Sequence, residues 1–141
     1  MTSPSGSPAV VTIAGGVGAA RFLRGLVRSV PAAGCTAIVN VADDVVLHGL
    51  AISPDLDTVV YTVAGEIDPE RGWGLRDETW QAMATVRRYG GIGWFNLGDR
   101  DLGTHLYRTQ RLQDGAALST VTAEIAAAWE SAVSKESGSA A

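Results

Sequence analysis

Four aspartates, Asp43, Asp44, Asp55 and Asp57, fall close together in the chain, the last two in the segment Ser53-Pro54-Asp55-Leu56-Asp57. Oxygen ligands from separate loops are what a hard cation such as Mg²⁺ takes, usually alongside substrate phosphates. The same residue type also caps helices and makes turns, and an acid after a second strand is where NAD enzymes hold a ribose. Upstream, Gly15-Gly16-Val17-Gly18 can bring backbone amides against a phosphate, or can simply form a tight turn. A dinucleotide fingerprint would need a small residue where Arg21 stands, and no Walker lysine follows, which excludes a P-loop kinase. A third group is Asp99-Arg100-Asp101 between Gly98 and Gly103, followed by His105. Arg100 can grip a carboxylate or phosphate in two places at once. His105 reads either as a general base or as a structural histidine at a helix start. Trp73 and Trp94 are either the walls of a flat aromatic site or core residues.

These residues need a frame. Ala9 to Ala14 is β-branched and uniformly apolar, as a strand covered on both faces would be. After the glycines, Ala19 to Val30 sets Phe22, Leu23, Leu26, Val27 and Val30 on one helical face and Arg21, Arg24 and Arg28 on another, until Pro31 and Gly34 end it. Thr36 to Ala42 reads as a second strand running into Asp43. The result is a βαβ unit with parallel strands. Asp57 to Ala64 fits a strand or a helix equally. Thr79 to Tyr89 and Leu118 to Trp129 read as amphipathic helices, the second with Ser119 or Thr120 as cap, and Asn96 to Thr104 between them reads as a polar loop. The expected class is α/β, a Rossmann-like parallel sheet with flanking helices, whose ligands lie beyond the carboxyl ends of the strands.

Composition narrows the rest. The 141 residues are 46% hydrophobic, enough for one domain with a real core, and the net charge of −4 lacks the basic patch of a nucleic-acid binder. The single cysteine, Cys35, suggests a reducing compartment, and no apolar run is long enough to span a membrane. A cytoplasmic protein is expected. Met1 to Pro8 reads as a flexible tail. Ten arginines stand against one lysine, Lys135, which fits a GC-rich coding sequence.

Taken in order, GGVGAARFLRGL (15–26), NVADDVVLHGL (40–50), ISPDLDTVVYTVAG (52–65), GWGLRDET (72–79) and LGDRDLGTHLYR (97–108) resemble the 2-phospho-L-lactate transferase family of coenzyme F-420 biosynthesis. The segment from Gln113 to Ile125 extends the likeness, and the arginine-rich composition agrees with an actinobacterial source. The resemblance implies a Mg²⁺-dependent enzyme that moves a phosphoenolpyruvyl or 2-phospho-L-lactyl unit from its guanosine diphosphate-activated donor to the deazaflavin Fo, releasing GMP. By the same likeness Gly15, Gly16, Val17 and Gly18 would hold nucleotide phosphates. Asp57 would be the catalytic residue at the metal and the Fo hydroxyl, Asp44 its metal partner, and Arg100 a contact to Fo.

The likeness covers about the first 40% of such proteins and is read as stopping after Ala128, beyond which the chain has its one lysine and no arginine. Residues 9–128 are therefore expected to be the N-terminal, Rossmann-like part of a transferase domain, incomplete relative to the full family fold. Residues 129–141 are expected to be a disordered tail foreign to the family, which makes the chain a truncated form of doubtful activity. An uncovered half-core of this kind would favour a homodimer. The alternative from a different class is a non-catalytic nucleotide- or dinucleotide-binding module, which accounts for the glycine loop but not for the loops of Asp57 and Arg100.

Overall fold

A computed structural model describes residues 10–138, with side chains over 10–130. Strand β1 (Val10–Ala14) leads through Gly15 into helix α1 (Gly16–Ser29), and a 3₁₀ turn at Ala32–Gly34 feeds strand β2 (Cys35–Val39). The two strands pair in parallel from Val10 opposite Cys35 to Ala14 opposite Val39, as the βαβ reading requires. A hairpin follows, β3 (Val45–Leu47) against β4 (Leu50–Ile52). His48 and Gly49 both take positive φ, 54° and 76°, which is the backbone a two-residue turn between twisted strands demands. Four more helices complete the described chain: α2 (Pro54–Ala64), α3 (Gln81–Arg88), α4 (Asp99–Gln113) and α5 (Leu118–Gly138). This is a mixed α/β arrangement that fits part of a Rossmann-like fold.

The ambiguity over residues 57–64 is resolved as helix, for local reasons. Pro54 at the first helical position has φ already set, Asp55 and Asp57 sit in the first turn where the helix dipole favours negative charge, and Gly65 closes the helix at φ 80°. Helix α2 packs along α1, and Ala14, Ala20, Leu23 and Val59 form the core between them and β1. A second core joins Ile52, Met83 and Leu97 beneath the hairpin and α4.

Three expectations are corrected. Strand β1 is not covered on both faces: Val10, Thr12 and Ala14 turn toward the helices, while Ile13 on the other face is 85% exposed. A pleated strand covers only the face against which something packs, and among the described residues helices lie on one side. The polar stretch 96–104 is helical from Asp99 onward. Glu78 makes that possible, its carboxylate accepting from the amides of Arg100 (2.8 Å) and Asp101 (2.9 Å) in the first turn of α4. Asp99 returns the favour at α3, accepting from the amides of Gln81 and Ala82 (both 3.0 Å). The two segments thus cap each other's helices. Finally, α5 begins at Leu118, so Ser119 and Thr120 lie inside its first turn rather than capping it.

Helix α5 also continues past the expected boundary at 128/129. Trp129 stands edge-on to Tyr61 with ring centroids 5.9 Å apart, and the Arg100 guanidinium lies 5.7 Å from its ring centre. The expected N-terminal tail and the last three residues of the expected C-terminal tail lie outside the described residues. Among the described residues no helix is long and apolar enough to cross a membrane.

Candidate active site

Helices α2 and α4 face each other across a cavity of about 400 Å³. Residues four apart share a helix face. So α2 presents Asp57 and Tyr61 to the cavity, and α4 presents Asp101 and His105. The mouth is bounded by Trp73 and Trp94 from two loops, Trp94 being 77% exposed. Both tryptophans line the cavity, and neither is buried as a core residue would be.

Asp57 is buried, and so is the cation that balances it. Arg108, one helical turn beyond His105, grips both carboxylate oxygens: Nη1 donates to Oδ2 at 3.1 Å and Nη2 donates to Oδ1. The two side chains are 1% and 8% exposed for Arg108 and Asp57. Burial raises the Asp57 carboxyl above its ordinary value, against the lowering effect of Arg108 and His105. Arg108 Nη1 also lies 3.3 Å from His105 Nδ1. Since a guanidinium can only donate, Nδ1 accepts, and a neutral His105 then carries its proton on Nε2. That nitrogen is buried 3.3 Å from Asp101 Oδ2 without the alignment of a hydrogen bond.

Asp101 is fixed from the other side. The Tyr61 hydroxyl donates to its Oδ1 at 2.7 Å and shares a second 2.7 Å hydrogen bond with the Thr104 hydroxyl. Burial works to raise the Asp101 carboxyl, but His105, Tyr61 and Arg108 together outweigh it and hold the group below its ordinary value. Burial, reinforced by Asp57 and Asp101, pushes the Tyr61 hydroxyl far up, so Tyr61 is a fixed donor. The two carboxyls of one cavity are thereby driven in opposite directions, Asp57 toward a stronger base and Asp101 toward a permanent anion.

The structure divides the four aspartates read from the sequence. Asp55 and Asp57 are two apart on α2 and point in different directions. Asp55 meets the glycine loop: its Oδ1 accepts from the Gly16 amide at 2.9 Å and its Oδ2 from Asn40 Nδ2 at 2.8 Å. A Cβ on Gly15 would sit 3.3 Å from that same carboxylate. Of the four residues expected to hold nucleotide phosphates, Gly15, Gly16, Val17 and Gly18, the Gly16 amide is thus engaged by the protein's own Asp55. Asp43 joins Asn40 (3.2 Å), and Asp44 accepts from the Ser53 hydroxyl at 2.8 Å.

Asp44 and Asp57, expected to share a metal, have different neighbours. Asp44 Oδ1 is buried and has no hydrogen-bond partner, an arrangement that suits a hard cation. Asp57 instead clusters with Asp101 and His105, one ligand atom of each within 4.8 Å of the others. Arg108 already supplies positive charge there, which opposes a dication. Arg100 does not line the Asp57 cavity. Its Nη1 donates to the Arg76 carbonyl at 2.6 Å, and Nη2 lies 3.8 Å from Glu66 Oε2. Arg108 and Tyr61 are the site residues that sequence reasoning missed. Their signal was the spacing, since Asp101, His105 and Arg108 fall on one face once residues 99–113 are read as helix.

Comparison with known proteins places the chain in a family. The family model for 2-phospho-L-lactate transferase CofD matches residues 10–134. A phosphoenolpyruvate transferase of Streptomyces griseus is 52% identical over 125 residues, which are 88% of this chain and 39% of that protein. One from Nocardia farcinica is 51% identical over 132 residues, 93% of this chain and 40% of the relative. One from Mycobacterium tuberculosis is 49% identical over 136 residues, 86% and 41%. The chain spans about 40% of the length of these relatives.

Proposed function

The chain belongs to the 2-phospho-L-lactate transferase CofD family, and from that premise we propose that the Asp57 cavity is the acceptor side of a transferase site in coenzyme F-420 biosynthesis. The acceptor is the deazaflavin Fo, and the donor is a guanosine diphosphate-activated phosphoenolpyruvyl or 2-phospho-L-lactyl unit. The observation that carries this reading is the cavity itself, with exposed aromatic walls at Trp73 and Trp94 and a buried carboxylate at its floor. A flat heteroaromatic ring stacks between tryptophans. Its hydroxyl then needs a base that stays ionised yet is stronger than an ordinary carboxylate.

Asp57 meets that need. Arg108 keeps it charged, burial raises its proton affinity, and each carboxylate oxygen retains lone-pair capacity toward the cavity. The Fo hydroxyl oxygen attacks the phosphorus of the activated unit, the bond from that phosphorus to the oxygen of GMP breaks, and the hydroxyl proton passes to Asp57. His105 and Asp101 hold the Arg108 guanidinium and Tyr61 in register around this carboxylate. A Mg²⁺ ion belongs by this reading on Asp44, through its unpartnered Oδ1, and not on Asp57. When bound it would neutralise donor phosphate charge.

Equilibrium binding of Fo, followed by its own fluorescence, tests the acceptor site. Trp94→Ala should weaken Fo binding about tenfold with Tm unchanged, as loss of one stacking partner implies. Asp57→Asn should stop GMP release from the activated donor. An affinity for Fo that Trp94→Ala leaves untouched, or unchanged GMP release in Asp57→Asn, overturns the assignment.

A further inference from the structure

A second cavity, about 490 Å³, lies between α1 and the loop of residues 66–77 and shares no lining residue with the Asp57 cavity. Its walls carry Arg21 and Arg24 from α1 and Arg76 from the loop. Arg21 and Arg24 are three apart, so they stand side by side on successive turns. Among the described residues neither makes a hydrogen bond or an ion pair, although most other arginines of the chain are engaged. We propose that this cavity binds the phosphoryl group of a small phosphorylated molecule, held by the paired guanidinium groups of Arg21 and Arg24. The proposal goes beyond the transferase reading and does not rest on it.

The cavity is built rather than incidental. The loop is closed on itself by a bridge between Ile67 and Leu75, with the Arg76 amide donating to the Glu66 carbonyl at 2.9 Å and the Asp68 amide to the Gly74 carbonyl at 3.1 Å. Gly72, at φ 75°, brings the loop hard against α1: a Cβ there would meet Val17 at 3.3 Å and the Arg21 guanidinium at 3.6 Å. A wall fixed in this way spends little ordering entropy when a ligand arrives. Two carboxylates also line the cavity. Asp68 is already neutralised by Arg71 at 2.8 Å, and Asp77 is left to accept from a hydroxyl of the ligand. The volume is that of a small-molecule site, several times what a lone phosphate fills. Planar, permanently charged forks are the side chains that recognise phosphate oxygens in pairs.

Inorganic pyrophosphate titrated into the full chain at low ionic strength, read by calorimetry, tests this. Saturable binding is expected, weakened about tenfold by the double variant Arg21→Gln/Arg24→Gln. Arg28→Gln, which removes an exposed charge from the same helix outside the cavity, should leave the affinity within about twofold if the site and not the overall charge is responsible. Neither arginine makes a hydrogen bond or ion pair among the described residues, and glutamine keeps most of the aliphatic stem, so Tm should hold in every variant. Absence of saturable binding overturns the proposal. So does an affinity that survives the double variant, which would put the anion elsewhere, and so does an equal loss in Arg28→Gln, which would make the attraction diffuse.

Discussion

Replacing Arg108 with methionine removes the guanidinium that grips Asp57 inside the fold and leaves that carboxylate buried. The two side chains are 1% and 8% exposed, so water replaces the lost contacts poorly. Breaking one side of such a pair costs about 3–5 kcal/mol. For a chain of this size that corresponds to a fall in Tm of about 10–17 °C. The loss must depend on pH. Without Arg108, burial drives the Asp57 carboxyl further up than it already stands, above its value in the unfolded chain. A group whose folded value is raised contributes stability that is present below the unfolded value and lost as pH rises through the folded one. The deficit of Arg108→Met is therefore expected to be largest at neutral pH and to shrink on acidification. The double variant Asp57→Leu/Arg108→Met should recover at least about 2 kcal/mol of it, because two apolar groups leave no charge stranded. Urea denaturation followed by far-UV circular dichroism across the pH range measures all three terms. A loss under about 1 kcal/mol, a loss independent of pH, or strict additivity in the double variant would refute the coupling on which the site is built.

Two further outcomes follow from the packing around that site. Gly98→Ala places a Cβ against the Glu78 carboxylate that caps α4, so it should destabilise by about 2 kcal/mol, and additional replacement of Glu78 by alanine should not deepen the loss by its full separate amount. Glu124 joins α5 to α4 through Arg111 and Tyr107, and these hydrogen bonds pull its carboxyl from 4.5 down to about 2. A depressed carboxyl stabilises above its unfolded value and stops doing so as pH falls through its folded one. Glu124→Gln should therefore lower Tm at pH 7, with the difference closing between pH 4.5 and 2.

The sequence alone determined the opening βαβ unit, because β-branched runs broken by glycines and a helix of fixed period are local statements about the backbone. It also determined the family, since five short segments in order carry that likeness, and it marked Asp57, Trp73 and Trp94 as residues worth following. What it left undecided was long-range. Whether residues 57–64 formed a strand or a helix could not be read from their period, and was settled by Pro54, Gly65 and the packing of α2 on α1. Residues 99–104 looked like a loop because their cap, Glu78, lies more than twenty positions earlier. Arg108 looked like any solvated arginine, yet it is fully buried against a carboxylate 51 positions away. A charge in a sequence reads as a surface residue by default, since burial is costly unless a partner is present. Only the tertiary structure supplies the partner. It is the facing of α2 and α4 that turns five polar residues into one site, and that turns a glycine loop into the seat of an internal aspartate.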